Sequence, residues 1–200
     1  MDGVTVDLPT TVDAALYAEV HDVIARVVAL DGAVGWLAVP DEAETAAWLD
    51  EHLGYAAAGE GALAVVRLDG RVRALGVWRR YTAPVVRQNA EIRKVMTHPD
   101  ARGRGLARAV MVALTEDARA AGVEVLLLDA RGNNHAAHAL YDSLGWQRCG
   151  VVPDFIAVGD ERWDRVLFSL RVNTPPGTVR HGSAPVGPGS WPYRAGGRET

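Results

Sequence analysis

The chain has 200 residues, of which 48% are hydrophobic, enough for one globular domain with a substantial core. Its formal net charge of −4 argues against a nucleic-acid-binding protein, which normally has a large excess of basic residues. No apolar run approaches the roughly 18 residues that a membrane span needs, and the acidic start MDGVTVDLPT lacks the layout of a secretory signal. The single cysteine, Cys149, excludes an internal disulfide, so we expect a cytoplasmic protein without a membrane partner.

The composition changes near Asn173. From Thr174 onward the sequence is TPPGTVRHGSAPVGPGSWPYRAGGRET, which is rich in proline and glycine. Such a segment cannot bury enough apolar surface to offset the entropy lost on ordering. We therefore predict a folded domain over residues 1–173 and a Pro/Gly-rich disordered tail over residues 174–200.

The sequence of the first half of the domain predicts two helices, a hairpin and shorter extended segments. Apolar residues recur at helical spacing over residues 11–30, and Asp41 with Glu44 forms a capping-box pattern before a second helix. The pair Asp69-Gly70 between two apolar runs is typical of a tight hairpin turn. Two shorter extended segments are expected at residues 4–8 and 32–39.

The second half alternates strands and helices before a final hairpin. The order is a strand over 90–98, a helix over 103–121, a strand over 123–130, a helix over 134–144, and two strands joined around Gly159-Asp160. The strand over 123–130 is almost entirely apolar, which is typical of a strand covered on both faces. The sequence therefore predicts a single-domain α/β fold with a mixed sheet and helices on both faces.

The stretch HPDARGRGLARAV, residues 98–110, predicts an anion site at the start of a helix. The first N–H groups of a helix have no intrahelical partner and lie at the positive end of the helix dipole. Gly103 and Gly105 keep side chains away from these N–H groups, while Arg102 and Arg104 add positive charge. A phosphate group is the expected ligand.

Two common phosphate-binding motifs do not fit this stretch. A Walker loop requires Gly-Lys-Ser/Thr, which the chain lacks. A dinucleotide-binding turn requires a third glycine where Arg108 stands, and it normally occupies the first strand–helix unit of a parallel sheet rather than following a hairpin.

The residues at 102–107 (RGRGLA) match the acyl-CoA signature [Q/R]-x-x-G-x-[G/A] of the GNAT N-acetyltransferase superfamily, and NHAAHALYDSLGW at 134–146 resembles its N-x-x-A-x-x-L-Y-x-x-x-G-[FW] helix. The resemblance covers residues 60–171. It implies a mostly antiparallel GNAT-like sheet with a splayed central strand. The stretches LLLDARGNNHAAHALYDSLGW and GVVPDF are also similar to a bacterial subgroup of the tabtoxin-resistance type.

The resemblance implies an acetyl-CoA-dependent N- or O-acetyltransferase that transfers acetyl directly to an amine or hydroxyl of a small molecule. It implies no metal, and it allows for a homodimer. Two alternatives remain open: acetylation of a protein lysine or N-terminus, and a non-catalytic acyl-CoA-binding module.

The resemblance also assigns cofactor contacts. The splayed strand would pair with pantetheine, a backbone N–H of this strand would meet the thioester oxygen, and the start of the following helix would hold the pyrophosphate. Asn134 is a good helix N-cap that could also touch the cofactor. The full set is Val95, Met96, Thr97, Arg102, Gly103, Arg104, Gly105, Leu106, Ala107 and Asn134.

For catalysis the resemblance assigns Tyr141 as the acid that protonates the departing thiolate. A phenol has a pKa of about 10 and stays protonated at neutral pH. Two carboxylates are alternatives for the base, Glu91 at the start of the splayed strand and Asp129 at the end of the next one. Tyr141 could also be a core residue, Glu91 a solvated side chain, and Asp129 a helix cap or the partner of Arg131.

Other residues with reactive or aromatic side chains have simpler interpretations. His135 and His138 have a spacing that can bind metal, but no third ligand is evident, so we expect surface histidines. Cys149 lacks a neighbouring base and is expected in the core. Core positions are also expected for Trp36, Trp48 and Trp78.

Overall fold

The structure is a computed structural model, and it describes residues 3–30 and 34–179. Within these ranges the chain forms seven strands and four α-helices. The strands are β1 (Val4–Asp7), β2 (Gly61–Leu68), β3 (Arg71–Arg80), β4 (Ala90–Thr97), β5 (Val125–Arg131), β6 (Gln147–Val158) and β7 (Glu161–Arg171). The helices are α1 (Ala14–Val28), α2 (Glu42–Ala57), α3 (Leu106–Ala120) and α4 (His135–Ser143).

The described strands form one seven-stranded sheet in the order β1-β2-β3-β4-β5-β7-β6. All neighbouring pairs are antiparallel except β4 and β5, which are parallel. The parallel pair is connected by α3, as a crossover between parallel strands requires. The expected mixed, mostly antiparallel sheet is therefore confirmed.

The alternation of β2 explains why helices cover both faces of the sheet. Ala62, Ala64 and Val66 belong to a core cluster with α3, whereas Leu63 and Val65 belong to a second cluster with α1 and α2. Successive side chains of a strand point to opposite faces, so a strand covered on both sides is apolar throughout. This places α1 and α2 on one face and α3 and α4 on the other.

The central strands β4 and β5 separate soon after they begin. They pair only at Ala90 with Leu126 and at Glu91 with Leu127. Beyond these positions β4 keeps its pairing with β3, and β5 keeps its pairing with β7. The result is a wedge-shaped opening in the middle of the sheet, which is the expected splay.

A β-bulge in β4 accompanies this separation. On β3 only Gly76 separates two paired residues, whereas on β4 both Lys94 and Val95 lie between the corresponding partners. Lys94 has φ +57°, a left-handed conformation that is uncommon for a residue other than glycine. Such a bulge re-aims the side chains next to it.

The local signals of the first half are largely confirmed. The Asp41 side chain accepts from the backbone N–H of Glu44 at 2.8 Å, and the Glu44 side chain accepts from that of Asp41 at 3.0 Å. Asp69 and Gly70 turn the β2–β3 hairpin with φ +52° and +79°. The first helix is shorter than predicted, because the side chain of Asp13 caps it.

The expected extended segment at 32–39 is wrong for its described part, residues 34–39, which contains no strand. Gly35 turns the chain with φ +84°, and Trp36 packs edge-on against Trp48 of α2 at a centroid distance of 5.8 Å. Side-chain contacts, rather than a ladder of backbone hydrogen bonds, therefore hold this loop.

Two other expectations are wrong. Cys149 is exposed rather than in the core, because it occupies a bulge between two paired residues of the edge strand β6. His138 is buried rather than on the surface, because α4 packs it 5.5 Å from the ring of Phe168. Trp78 is buried as expected, whereas Trp36 and Trp48 are only partly buried.

The predicted tail lies mostly outside the described residues. Residues 174–179 form no helix or strand, and residues 180–200 are not among those described. The disorder of this segment therefore stays a prediction. None of the described helices has the length and apolar character that a membrane crossing requires.

We predict that Gly76→Ala destabilises the fold. A Cβ at this position would lie 2.8 Å from Val110, 3.1 Å from Val95 and 3.2 Å from Leu114, inside a packed interface. Overpacking of this kind costs about 1–3 kcal/mol. Urea unfolding measures the effect, and Gly54→Ala is the matched control. A Cβ at Gly54 in α2 meets nothing within 4 Å, so this variant should be more stable than the wild-type protein by about 0.5–1 kcal/mol. Equal stability of the two variants would contradict the prediction.

Candidate active site

A cavity of about 560 Å³ fills the wedge between β4 and β5. One wall is the end of α1 and the loop residues Val34 and Gly35, and another is residues 91–97 of β4. The opposite wall is residues 128–131 of β5, with Arg165 of β7 and Tyr141 of α4 beside it. The separation of the two strands therefore creates a concave surface that several of the predicted site residues line.

The turn that leads into α3 follows Arg102, a residue that lines this cavity. The helix begins at Leu106 and not at residue 103, because Gly103 and Gly105 have φ +75° and +76°, which is not helical. A Cβ at Gly103 would meet nothing within 4 Å, so the space above the turn is open. Arg102 lines the cavity, and Arg104 is exposed. Free N–H groups, open space and arginines together suit an anion such as a phosphate.

The splayed part of β4 forms the adjoining wall. Val95, Met96 and Thr97 all line the cavity. The Met96 side chain is buried in the cluster with α1, and Val95 packs against the cluster with α3. The edge of this segment that faces the separated β5 is free of strand pairing, so its backbone groups can bind an extended ligand.

Tyr141 lies on α4, which begins where Asn134 accepts from the backbone N–H of Ala137 at 3.2 Å. The Asn134 side chain is thus the expected helix cap. Tyr141 is 7% exposed and packs edge-on against Phe168 at a centroid distance of 5.2 Å. Burial, with a smaller effect of the Asp129 charge, raises the pKa of Tyr141 to about 12. The phenol is therefore both a core residue and a protonated donor at the cavity wall.

The structure brings both candidate carboxylates into the same cavity. Asp129 accepts a hydrogen bond from Arg165 at 2.6 Å. Arg131, the other partner considered for Asp129, lines the cavity as well. Burial raises the pKa of Glu91 above its ordinary value, the guanidinium of Arg93 at 3.6 Å partly opposes this, and the negative charge of Asp129 adds to it. The two carboxylates thus differ: the guanidinium beside Asp129 lies at hydrogen-bond distance, whereas the one beside Glu91 is farther away, at 3.6 Å, and burial has the larger effect on Glu91.

Lys94 is a cavity residue that sequence reasoning missed. Its Nζ donates to the carbonyl of Val34 and lies 3.5 Å from the ring centroid of Trp36. Burial, with a smaller effect of Arg93, lowers the pKa of Lys94 to about 8. One signal was available, since Lys94 is the only lysine in a chain with 21 basic residues.

No metal centre is apparent among residues 3–30 and 34–179. Their His, Cys, Asp and Glu side chains form no group of three or more that could hold a metal ion. Besides Arg102, the cavity is lined by a phenol, two carboxylates and an ammonium, which are groups that can bind an anion and transfer protons.

Sequence comparison agrees with this arrangement. The profile described as the acetyltransferase (GNAT) family matches residues 32–146. The [Ribosomal protein bS18]-alanine N-acetyltransferase of Escherichia coli (strain K12) is 32% identical over 89 residues, which are 44% of this chain and 60% of that protein. The N-acetylaspartate synthetase of Danio rerio is 31% identical over 83 residues, 40% of this chain and 29% of that protein. The chain thus matches less than two thirds of the length of these relatives.

Comparison with solved structures gives the same fold. A Salmonella typhimurium protein described as an acetyltransferase, solved with its cofactor acetyl-CoA, has a TM-score of 0.75 at 21% identity, covering 88% of this chain and 97% of that one. The ribosomal-protein-alanine N-acetyltransferase of Brucella melitensis has a TM-score of 0.72 at 21% identity, covering 84% and 99%. The narrower likeness to the tabtoxin-resistance type stays a prediction. With a family match over more than half of its length, the chain belongs to the GNAT acetyltransferase family.

Proposed function

We propose that this protein is an acetyl-CoA-dependent N- or O-acetyltransferase that acts on an amine or hydroxyl of a small molecule. One observation carries the proposal. A single cavity is lined by Arg102 next to the start of α3, by the splayed part of β4, and by Tyr141, Glu91 and Asp129. Family membership supports the same chemistry.

Acetyl-CoA, when bound, supplies the acetyl group as an activated thioester. The backbone of residues 102–107 would hold its pyrophosphate, because the open turn at Gly103 and Gly105 exposes the first N–H groups of α3. Arg102 and Arg104 would add charge-assisted hydrogen bonds. The unpaired edge of β4 at Val95, Met96 and Thr97 would accept and donate hydrogen bonds along the pantetheine arm, and Asn134 would lie beside it.

The bulged strand also suits stabilisation of the oxyanion. A backbone N–H of Val95 or Met96 would donate to the thioester oxygen as negative charge develops there. A fixed backbone donor needs no reorganisation during the reaction, and a desolvated site strengthens its effect.

Tyr141 would donate to the sulfur that leaves. Its pKa of about 12 keeps the phenol protonated throughout the neutral range. Because a free thiol has a pKa of about 8.5, full transfer of this proton to a thiolate is uphill. The phenol therefore keeps its proton and can donate a hydrogen bond to the developing thiolate.

Glu91 is the base that the electrostatics favour. A general base works best when its pKa is raised towards the working pH, and burial acts on Glu91 in this direction. Asp129 accepts a hydrogen bond from Arg165 at 2.6 Å, which orients its carboxylate. We assign Glu91 to proton removal from the acceptor and Asp129 to positioning, with the roles of the two carboxylates open to direct test.

A protein N-terminus is the second candidate acceptor. It is favoured by the relative from Escherichia coli, whose name gives a ribosomal protein alanine as its substrate. A non-catalytic acyl-CoA-binding module is less well supported, because one cavity contains a phenol and two carboxylates. A cytoplasmic location and a homodimer stay predictions.

We expect saturating acetyl-CoA to stabilise the protein against thermal unfolding. A ligand at about 100 times its Kd contributes about 2.7 kcal/mol. Gly103→Ala should lose most of this stabilisation, because its Cβ would enter the space in front of the exposed N–H groups. Gly122→Ala is the matched control, since Gly122 has φ +76° and equally open surroundings at the other end of α3.

Both glycine variants should lose about 1–2 kcal/mol of intrinsic stability, the cost of a left-handed alanine. Only Gly103→Ala should respond weakly to acetyl-CoA in differential scanning fluorimetry. An unchanged melting temperature of the wild-type protein with acetyl-CoA would overturn the proposed function. An equal response of both variants would contradict the assignment of the pyrophosphate to this turn.

Three variants should divide the catalytic roles, measured by thiol release from acetyl-CoA. We expect Glu91→Gln to lower kcat/KM by about 10²–10⁴-fold, the usual contribution of a general base, and to remove the fall in rate at acidic pH. Asp129→Asn should lower kcat/KM less and keep this fall. Tyr141→Phe should lower kcat without weakening the stabilisation by acetyl-CoA. The reverse pattern for the two carboxylates would make Asp129 the base.

A further inference from the structure

The half of the cavity away from α3 is strongly charged. We call it the acceptor end and define it by the loop residues 34–35, residues 91–94 of β4, Asp129 and Arg165, all of which line the cavity. It contains two carboxylates and three basic side chains. An excess of positive charge is unexpected here, because the whole chain has a net charge of −4.

Both carboxylates of the acceptor end already have a positive partner. Asp129 is 2.6 Å from Arg165, and Glu91 is 3.6 Å from Arg93. Lys94 differs, because no carboxylate among the described residues lies within salt-bridge distance of its Nζ. Its contacts are the carbonyl of Val34 and the face of Trp36. These two contacts hold an ammonium group without neutralising it.

The chain holds this ammonium in place at a cost. Lys94 has φ +57° in the bulge of β4, a conformation disfavoured for residues other than glycine. Half-burial of a charged group without a counter-ion is also unfavourable. Gly35 leaves the room that the side chain needs, since a Cβ there would lie 2.8 Å from Nζ. An ammonium that lines a cavity without a counter-ion suits a ligand of opposite charge.

The choice of residue agrees with a binding role. Every other basic side chain of this chain is arginine or histidine, and only position 94 has a lysine. A lysine ammonium is a compact point charge with three N–H donors. The Val34 carbonyl takes one donor, and the Trp36 ring covers one side. The remaining donors are available to a group in the cavity.

We propose that Lys94 binds an anionic group of the acceptor, so that the acceptor is a small amine with a carboxylate close to its nitrogen, as in a free amino acid. This inference rests on the proposed function and names its substrate class. It disfavours polycationic acceptors, which the positive acceptor end would repel. It also disfavours a peptide N-terminus, whose nearest carbonyl is an uncharged amide.

The test compares each amino acid of a panel with the amine that lacks its carboxyl group. Decarboxylation removes the anion but also raises the pKa of the amine, so the rates are compared per unprotonated amine and the loss of preference in Lys94→Met isolates the effect of the anion. We expect the wild-type protein to prefer the amino acid in kcat/KM by about tenfold to a hundredfold, the usual range for a hydrogen bond to a charged group. Lys94→Met should remove most of this preference, mainly through KM, whereas Lys94→Arg should retain part of it.

Arg71→Met is the matched control variant, because Arg71 is an exposed cation at the β2–β3 turn and does not line the cavity. It should leave the preference unchanged. Equal rates with amino acids and their decarboxylated amines, or an unchanged preference in Lys94→Met, would overturn the assignment of Lys94. Absence of thiol release with any acceptor, together with no stabilisation by acetyl-CoA, would instead overturn the proposed function.

A binding measurement on the wild-type protein covers the case in which Lys94→Met does not fold. Lysine labelled with ¹³C at Cε gives a single side-chain resonance, because the chain has one lysine. It should titrate with a pKa of about 8. A carboxylic acid that lacks the amine should shift this resonance and raise the pKa, because an opposite charge favours the ammonium form. The corresponding uncharged amide should do neither, and equal shifts from both would contradict the proposal.

Discussion

The separation of β4 from β5 is the feature on which the rest of the site depends. Two parallel strands pair at only two positions and then diverge, although each remains paired on its other side. Backbone N–H and C=O groups in the interior of a protein must find partners, so the inner edge of β4 needs either water or a ligand. The bulge opposite Gly76 allows the two strands to separate, because it changes the direction of β4 while α3 keeps the strand packed. The residues around this bulge therefore contribute both to the packing of the sheet and to the shape of the cavity.

Desolvation in this wedge acts on acids and bases in opposite directions. It raises the pKa of Glu91 and of Tyr141, and it lowers the pKa of Lys94. In each case burial penalises the charged form of the group. One physical cause thus produces a more basic carboxylate, a firmly protonated phenol and an ammonium that is sensitive to its surroundings. Clustering of shifted groups in one cavity is typical of functional sites.

Much of the fold was predictable because its signals are local. The alternation that buries β2 on both faces, the capping box at Asp41 and the turn at Asp69-Gly70 each depend on a few neighbouring residues. The burial of His138 and the exposure of Cys149 depend on which elements pack together, so the sequence did not indicate them. Lys94 was missed for a further reason. Its importance comes from a loop some 60 residues earlier in the chain, and Trp36 in that loop resembles an ordinary core residue.

The acceptor end combines residues inside and outside the range that the family profile matches. The family profile covers residues 32–146, which include Glu91, Lys94 and Asp129. Arg165, which neutralises Asp129, lies on β7 outside this range. The charge balance of the cavity depends on Arg165 as well as on Lys94, and therefore on a strand beyond the matched range as well as on strands within it.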